Sequence, residues 1–179
     1  MGYSMGARAA LLHAIKHPGY WDALVLISAT AGIESDAERV KRAASDQALA
    51  ERLLSKGVAA FLTYWQQKPI IQSQKNIRAD WIKQMQLNRL QHTTEGLASS
   101  LQQFGQAKYP NLWAELSKLS CPTLLITGDL DRKYCAFAKR MKALLPSARW
   151  ASIPDAGHAP HLEASEQTSA MIQDFRNTF

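Results

Sequence analysis

Ser4 lies at the centre of a glycine-flanked pentapeptide, Gly2-Tyr3-Ser4-Met5-Gly6, which leads directly into an alanine-rich segment. A serine in this pattern is typical of a sharp turn between a strand and a helix, which holds the hydroxyl clear of the backbone. Glycines are expected on both sides of such a turn because a Cβ there would collide with neighbouring chain. The pentapeptide therefore predicts a serine nucleophile; the alternative is a serine that only caps a helix.

An acid and a histidine follow this serine, each after a short strand-like run. Asp129 and Asp131 follow the first run, and His158 follows the second, with Asp155 interpreted as a loop residue. A hydroxyl becomes an effective nucleophile or base only when an imidazole accepts its proton, and a carboxylate fixes the tautomer of that imidazole. The order serine, acid, histidine predicts a catalytic set made of Ser4, His158 and one of the first two aspartates.

The elements that must position these groups alternate between strands and helices, with one long helical interruption. The patterns predict, in order, helix 5–17, strand 23–28, helices over 34–104 with breaks near 57, 68–69 and 96, helix 111–119, strand 123–127, helix 134–145, strand 149–153 and helix 165–175. Groups that follow parallel strands collect beyond the carboxyl ends of those strands, and the helical insertion emerges at the same end. The sequence thus predicts an α/β core in segments 1–33 and 109–179 with a helical cap, 34–108, over the site; the alternative is a separate all-helical domain.

Composition limits the class of protein. The chain has 179 residues, 46% of them hydrophobic, which is enough for one domain with a sizeable core. No apolar run is long enough to span a membrane, and the formal charge of +6 is scattered, which argues against membrane insertion and nucleic-acid binding. Cys121 and Cys135 lack metal or redox spacing and no secretory signal is recognisable, so the sequence predicts a reduced, cytoplasmic setting.

Several segments spread over nearly the whole chain carry a resemblance to one enzyme family. They are 2–8 (GYSMGAR), 38–42 (ERVKR), 61–65 (FLTYW), 112–116 (LWAEL), 128–134 (GDLDRKY) and 156–163 (AGHAPHLE). These segments resemble the 2-succinyl-6-hydroxy-2,4-cyclohexadiene-1-carboxylate synthases (MenH) of menaquinone biosynthesis. The resemblance implies the C-terminal part of an α/β-hydrolase fold, with parallel strands, flanking helices and an inserted helical cap.

The same resemblance implies a lyase that eliminates pyruvate from a cyclohexene carrying an enolpyruvyl ether, with no cofactor and no metal. Ser4 would act as a base activated by His158, and Asp131, three residues after Gly128, would be the acid in place of Asp129. The implied substrate is a small polycarboxylate. Arginine side chains suit such a substrate, because guanidinium groups bind carboxylates in a bidentate manner. The implied substrate-binding residues are Arg8, Arg42 and Arg89 for the carboxylates, Tyr3 and Trp65 for the pocket wall, and the Met5 backbone N–H for the oxyanion.

Two further interpretations stay open. The first is an esterase or carbon–carbon hydrolase on the same fold, which would have a pocket without arginines. The second interpretation rests on the strand that should lead into the Ser4 turn, which is expected to be absent because only Met1 precedes Gly2. On that interpretation the chain is an inactive fragment, poorly soluble because strand 23–28 exposes an apolar edge. The sequence gives no expectation for the oligomeric state.

Overall fold

The computed structural model describes residues 1–178, which divide into two compact units. Unit 1 consists of Met1–Ala31 together with the chain from Leu112 onward, and unit 2 is Gly32–Asn111. The predicted helical insertion, 34–108, lies within the bounds of unit 2. In chain order the elements are β1 Gly2–Tyr3, α1 Met5–Lys16, β2 Leu24–Ile27, α2 Asp36–Gln66, α3 Pro69–Gln72, α4 Ala79–Leu90, α5 Thr94–Phe104, β3 Thr123–Gly128, α6 Arg132–Leu144, β4 Ala148–Ile153, α7 Pro160–Glu163 and α8 Ser165–Arg176, with 3₁₀ helices at Ser73–Asn76 and Trp113–Lys118.

Unit 1 is built on a parallel sheet in which the strand order is β1-β2-β3-β4. Strand β3 is buried along its whole length, as expected for an apolar strand covered on both faces. Helix α1 packs against β1 and β2, while α6 and α8 pack against β3 and β4. All strands therefore point the same way, and the loops that follow them come to one edge of the sheet.

One face of this sheet forms a core with α8. Leu124, Ile126 and Ile153 of the strands are buried in one cluster with Phe175, and Ile172 packs against that cluster. Burying an apolar side chain of this size contributes about 1.5–3 kcal/mol. This packing holds β3 and β4 in place, and with them the loops that carry the acid and the histidine.

Unit 2 is helical, as predicted. Helix α2 is broken at Gly57, whose φ of 75° and ψ of 173° are not helical, and this break was predicted at the same residue. Helix α5 packs against α2, and their core contains Leu53, Phe61 and Ala98. The predicted break near Gly96 is misplaced, because Thr93 caps α5 by accepting a hydrogen bond from the Gly96 N–H.

Two further expectations are corrected by the structure. The predicted helix 111–119 is a 3₁₀ helix, Trp113–Lys118, in which Trp113 and Leu116 are buried. These residues are three apart, and that spacing lines up along one face of a 3₁₀ helix. The entering strand expected to be absent is present as a two-residue strand: Gly2 and Tyr3 pair with β2. Parallel pairing uses backbone groups, so even two residues can add to the edge of the sheet.

No helix among the described residues 1–178 has the length and apolar character needed to cross a lipid bilayer. Over the same residues, no group of three or more histidine, cysteine, aspartate and glutamate side chains is arranged to hold a metal ion. Cys121 and Cys135 are free thiols.

Candidate active site

Ser4 occupies the turn between β1 and α1 with a positive φ of 48° and a ψ of −106°. A backbone conformation of this kind costs a residue with a side chain about 1–3 kcal/mol, and such strain concentrates at functional sites. The turn is held from both sides, since the Ser4 N–H donates to the Ile27 carbonyl at 2.9 Å and the Arg8 N–H donates to the Ser4 carbonyl at 3.1 Å. The strand and the helix together fix the serine at the carboxyl end of β1.

The two glycines that flank Ser4 have different roles. A Cβ on Gly2 would lie 2.4 Å from the backbone oxygen of Gly6 and 2.7 Å from the nitrogen of Ala7, so only glycine fits there. A Cβ on Gly6 would meet nothing within 4 Å. The expectation that both glycines avoid a collision is therefore right for Gly2 and wrong for Gly6.

Asp131 follows β3 and caps the N-terminus of α6. Its Oδ1 accepts a hydrogen bond from the Tyr134 N–H at 3.3 Å, which leaves Oδ2 directed to His158. Asp129 is exposed to solvent. Asp131 is therefore the aspartate of this loop that lies within hydrogen-bond distance of the imidazole.

His158 follows β4 and connects the acid to the serine. Its Nδ1 lies 2.7 Å from Asp131 Oδ2, and its Nε2 lies 3.0 Å from Ser4 Oγ. A carboxylate can only accept, so Nδ1 is assigned the proton and Nε2 keeps the lone pair that accepts from the serine hydroxyl. The imidazole itself is buried, with 4% of the residue exposed. The arrangement can remove a proton from Ser4 and hold it on the imidazole.

Two tyrosine rings lie against the imidazole of His158. The Tyr134 ring lies 4.5 Å from the His158 ring in an edge-on orientation, and the Tyr3 ring lies 5.5 Å away. The Tyr3 ring also lies against the His161 ring in a tilted orientation, with 4.4 Å between the centroids. Burial lowers the pKa of His161 below its ordinary value of 6.5, with the nearby charge of Glu163 acting in the opposite direction. His161 is half-buried, and its ring contacts Tyr3 rather than the triad itself.

The start of α1 supplies groups that favour an anion. Met5 is the first residue of α1, and an N–H at this position has no carbonyl of a preceding turn to bond to. The positive end of the helix dipole lies here as well. Arg8 follows Ser4 by one helical turn and is half-buried. Both predicted residues therefore lie in the first two turns of the helix that begins directly after the serine.

Arg42, Arg89 and Trp65 lie in unit 2, where each has partners within the unit. Arg42 Nε donates to Asp46 Oδ1 at 2.8 Å, and its Nη1 donates to the side-chain oxygen of Gln106. Arg89 donates to the buried side chain of Gln74 at 3.0 Å. Trp65 stacks on Phe61 in the core of the unit. Their predicted contacts with a substrate stay predictions.

Sequence reasoning did not identify three residues that contact the histidine or its loop. Tyr134 packs on the His158 ring, Ser28 donates to the His158 carbonyl at 2.8 Å, and Glu163 accepts from the neighbouring Gly157 N–H at 2.6 Å. Ser28 directly follows β2, at the edge of the sheet where the site lies, and this position could have indicated it. Tyr134 and Glu163 carry no such signal, because their contacts depend on how α6 and α7 turn back.

Comparison with known proteins gives one family and several relatives. The family model described as the alpha/beta hydrolase family matches residues 1–171. A Bacillus subtilis (strain 168) protein, provisionally named 2-succinyl-6-hydroxy-2,4-cyclohexadiene-1-carboxylate synthase, is 36% identical over 98% of the chain and 64% of its own length. A protein of that name from Enterobacter sp. (strain 638) is 28% identical over 96% of the chain and 64% of its own length. The chain thus spans about two thirds or less of these relatives.

Solved structures give the same result for the fold. The structure of MenH from S. aureus superposes with a TM-score of 0.94 at 34% identity, covering 97% of the chain and 65% of that protein. A thermophilic esterase from Thermogutta terrifontis superposes with a TM-score of 0.78 at 26% identity, covering 98% and 63%. The α/β-hydrolase fold and the resemblance to MenH, both predicted from the sequence, are confirmed.

Proposed function

The chain belongs to the alpha/beta hydrolase family, and within that family we propose that it carries the catalytic residues of a carbon–oxygen lyase. The reaction eliminates pyruvate from 2-succinyl-5-enolpyruvyl-6-hydroxy-3-cyclohexene-1-carboxylate and leaves 2-succinyl-6-hydroxy-2,4-cyclohexadiene-1-carboxylate. The observation that carries the proposal is the hydrogen-bonded series Ser4–His158–Asp131 in a chain that is 36% identical to a protein of that name.

The bonds that change in this reaction require a base. Loss of the proton at ring carbon 2 forms a double bond between carbons 2 and 3, the electrons of the 3,4 double bond form a new one between carbons 4 and 5, and the bond from carbon 5 to the enolpyruvyl oxygen breaks. The proton is acidic because carbon 2 lies next to the succinyl ketone, so its removal gives an enolate. Ser4 removes this proton as His158 accepts the hydroxyl proton, and Asp131 stabilises the imidazolium. The imidazolium then protonates the departing enolpyruvate, which becomes pyruvate.

Two kinds of group act on the negative charge of the substrate. The Met5 N–H at the start of α1 stabilises the enolate oxygen, as in an oxyanion hole. The substrate carries carboxylates on the ring, on the succinyl arm and on the enolpyruvyl ether, and Arg8 binds one of them as a planar guanidinium. Arg42 and Arg89 are proposed for the others on the basis of the family resemblance, with Tyr3 and Trp65 as apolar contacts.

Pyruvate release from the pathway intermediate tests the proposal. It is measured for the 179-residue chain and for any longer protein that contains it, because the chain spans 64% of the relative's length. We expect two products whose masses sum to the mass of the substrate. Absence of pyruvate release from both proteins would contradict the lyase function, and release from the longer one alone would make this chain an inactive portion of the enzyme.

The second candidate is an esterase or carbon–carbon hydrolase that uses the same three residues. It is favoured by the structural similarity to the Thermogutta terrifontis esterase. In this reaction Ser4 would attack a carbonyl and form an acyl-enzyme, and water would release the product. Product masses distinguish the two reactions, since hydrolysis adds one water to the summed mass and elimination adds none.

A further inference from the structure

The backbone on both sides of His158 is fixed by side chains from other parts of unit 1. Ser28 Oγ donates to the His158 carbonyl at 2.8 Å. The Gly157 N–H donates to Glu163 Oε2 at 2.6 Å, and the Ala159 N–H donates to Glu163 Oε1 at 3.0 Å. A single carboxylate therefore accepts a hydrogen bond from the residue before the histidine and from the residue after it.

The short helix α7 brings Glu163 back to this loop. Pro160 occupies the first turn of α7, and the Glu163 N–H donates to the Ala159 carbonyl at 2.9 Å, which closes the turn. Gly157 and Ala159 are buried, so water is not available to replace the carboxylate as acceptor. A charged acceptor also makes shorter and stronger hydrogen bonds than a neutral one. The carboxylate thus fixes two buried N–H groups that would otherwise be unpaired.

We propose that Glu163 is a positioning residue for His158, holding its loop where the imidazole contacts Ser4 and Asp131 together. This inference rests on the proposed function, in which the imidazole transfers the proton. The two contacts are 3.0 Å and 2.7 Å long and lie on different ring nitrogens, so a shift of the loop lengthens at least one of them. Misplacement by about 1 Å is expected to lower the rate on the order of 100-fold.

The test compares two glutamates that lie three residues apart. Glu163→Ala and Glu163→Gln are made in the full chain, with Glu166→Ala and Glu166→Gln as controls, because Glu166 is an exposed glutamate at the start of α8. The first measurement is the rate at which a fluorophosphonate labels Ser4. This rate depends on the imidazole and the aspartate but not on the natural substrate.

We expect Glu163→Ala to slow labelling about 100-fold and to lower kcat for pyruvate release while KM changes little. Glu163→Gln is expected to slow labelling less, because the amide oxygen accepts from one N–H while the amide nitrogen accepts from none. The Glu166 variants should label at the unmodified rate. The second measurement is the downfield proton resonance of His158 Nδ1–H, which should weaken in the Glu163 variants alone.

Several outcomes would overturn the inference. A folded Glu163→Ala protein with unchanged labelling and an unchanged Nδ1–H resonance would do so. If that variant does not fold, the nearly isosteric Glu163→Gln decides by the same two measurements. A chain that is labelled but releases no pyruvate contradicts the lyase function only, and labelling still decides the role of Glu163. If Ser4 is not labelled at all, the Nδ1–H resonance of His158 alone decides whether Glu163 positions the imidazole.

Discussion

His158 Nε2 lies 3.0 Å from Ser4 Oγ, although the two residues are 154 positions apart in the chain. Their contact requires that β1 and β4, the outer strands of the sheet, end at the same edge and that both following turns point toward each other.

The first prediction concerns the three hydrogen-bonded residues. Ser4→Ala, His158→Ala and Asp131→Asn should each lower turnover by about 10⁴- to 10⁶-fold, because such residues act as a unit. Asp129→Asn is the matched control, since Asp129 is an exposed side chain in the same loop. Steady-state rates of pyruvate release provide the measurement. If Asp129→Asn abolished activity while Asp131→Asn retained it, the acid would be wrongly assigned.

The second prediction separates the two glycines of the turn. Gly2→Ala places a Cβ 2.4 Å from the backbone oxygen of Gly6. A backbone atom cannot move aside as the end of a flexible side chain can. The turn should therefore be distorted, and labelling of Ser4 by the fluorophosphonate should be lost. Gly6→Ala meets open space and lies in a helix, where alanine is favoured over glycine by up to about 1 kcal/mol. Urea unfolding and labelling rates check both variants. Equal damage from the two substitutions would contradict the geometry.

The third prediction concerns Arg8, on the helix that follows the serine. Arg8→Ala should weaken productive binding of the substrate by roughly 1.5–3 kcal/mol, the range of a hydrogen bond to a charged group. Arg8→Lys should recover part of this loss, because an ammonium group lacks the planar fork of a guanidinium. The measurement is kcat/KM for pyruvate release, and the exposed Arg176 provides the alanine control. Faster turnover of small neutral esters than of the polycarboxylate by the unmodified protein would favour the esterase.

The fourth prediction distinguishes binding from stability in unit 2. Arg42 pairs with Asp46, whose side chain is 8% exposed, so Arg42→Ala leaves a buried carboxylate without its cation. Because Arg42 itself is 39% exposed, we expect a loss of about 1–2 kcal/mol in the free energy of unfolding, less than for a fully buried pair. Arg89→Ala breaks a hydrogen bond to a neutral glutamine and should cost less.

Urea unfolding of the two variants and of Arg42→Ala/Asp46→Ala measures these losses. The double variant should recover part of the stability, since it removes the unpaired charge as well. A substrate-binding role for Arg42 and Arg89 predicts a higher KM in protein that is still folded. An unchanged KM in folded Arg42→Ala would assign this arginine to stability alone.

The fifth prediction follows from the burial of His161. Burial lowers the pKa of His161 below 6.5 in the folded state, so the unfolded chain binds a proton first as the pH falls. Stability therefore decreases as the pH falls through the unfolded pKa, and the decrease is complete below the folded pKa. His161→Phe keeps an aromatic ring against Tyr3 but removes the titrating group, so it should reduce this decrease. Urea unfolding at about pH 8 and about pH 5 measures it; an identical decrease in the variant would contradict the prediction.

Much of the fold could be predicted because its signals are local. The apolar run that became β3, the break at Gly57 and the acid-containing turn after Gly128 depend on residues next to one another. Buried strands require continuous apolar residues, and helices require periodic ones. The two-residue strand β1 was missed for the opposite reason: nothing in Gly2 and Tyr3 indicates a strand until their backbones meet Leu26 and Ile27.

The chemical groups and their order can be read from the chain alone: a serine in a tight turn, an acid after one strand and a histidine after the next. The contacts among these groups depend on packing between distant parts of the chain. That packing brings Asp131, the acid that the family resemblance implies, to the imidazole; it also separates the roles of Gly2 and Gly6 and places Glu163 against the loop of His158. The reason is that backbone conformation depends mainly on neighbouring residues, whereas a 3 Å contact between distant residues depends on strand register and helix packing.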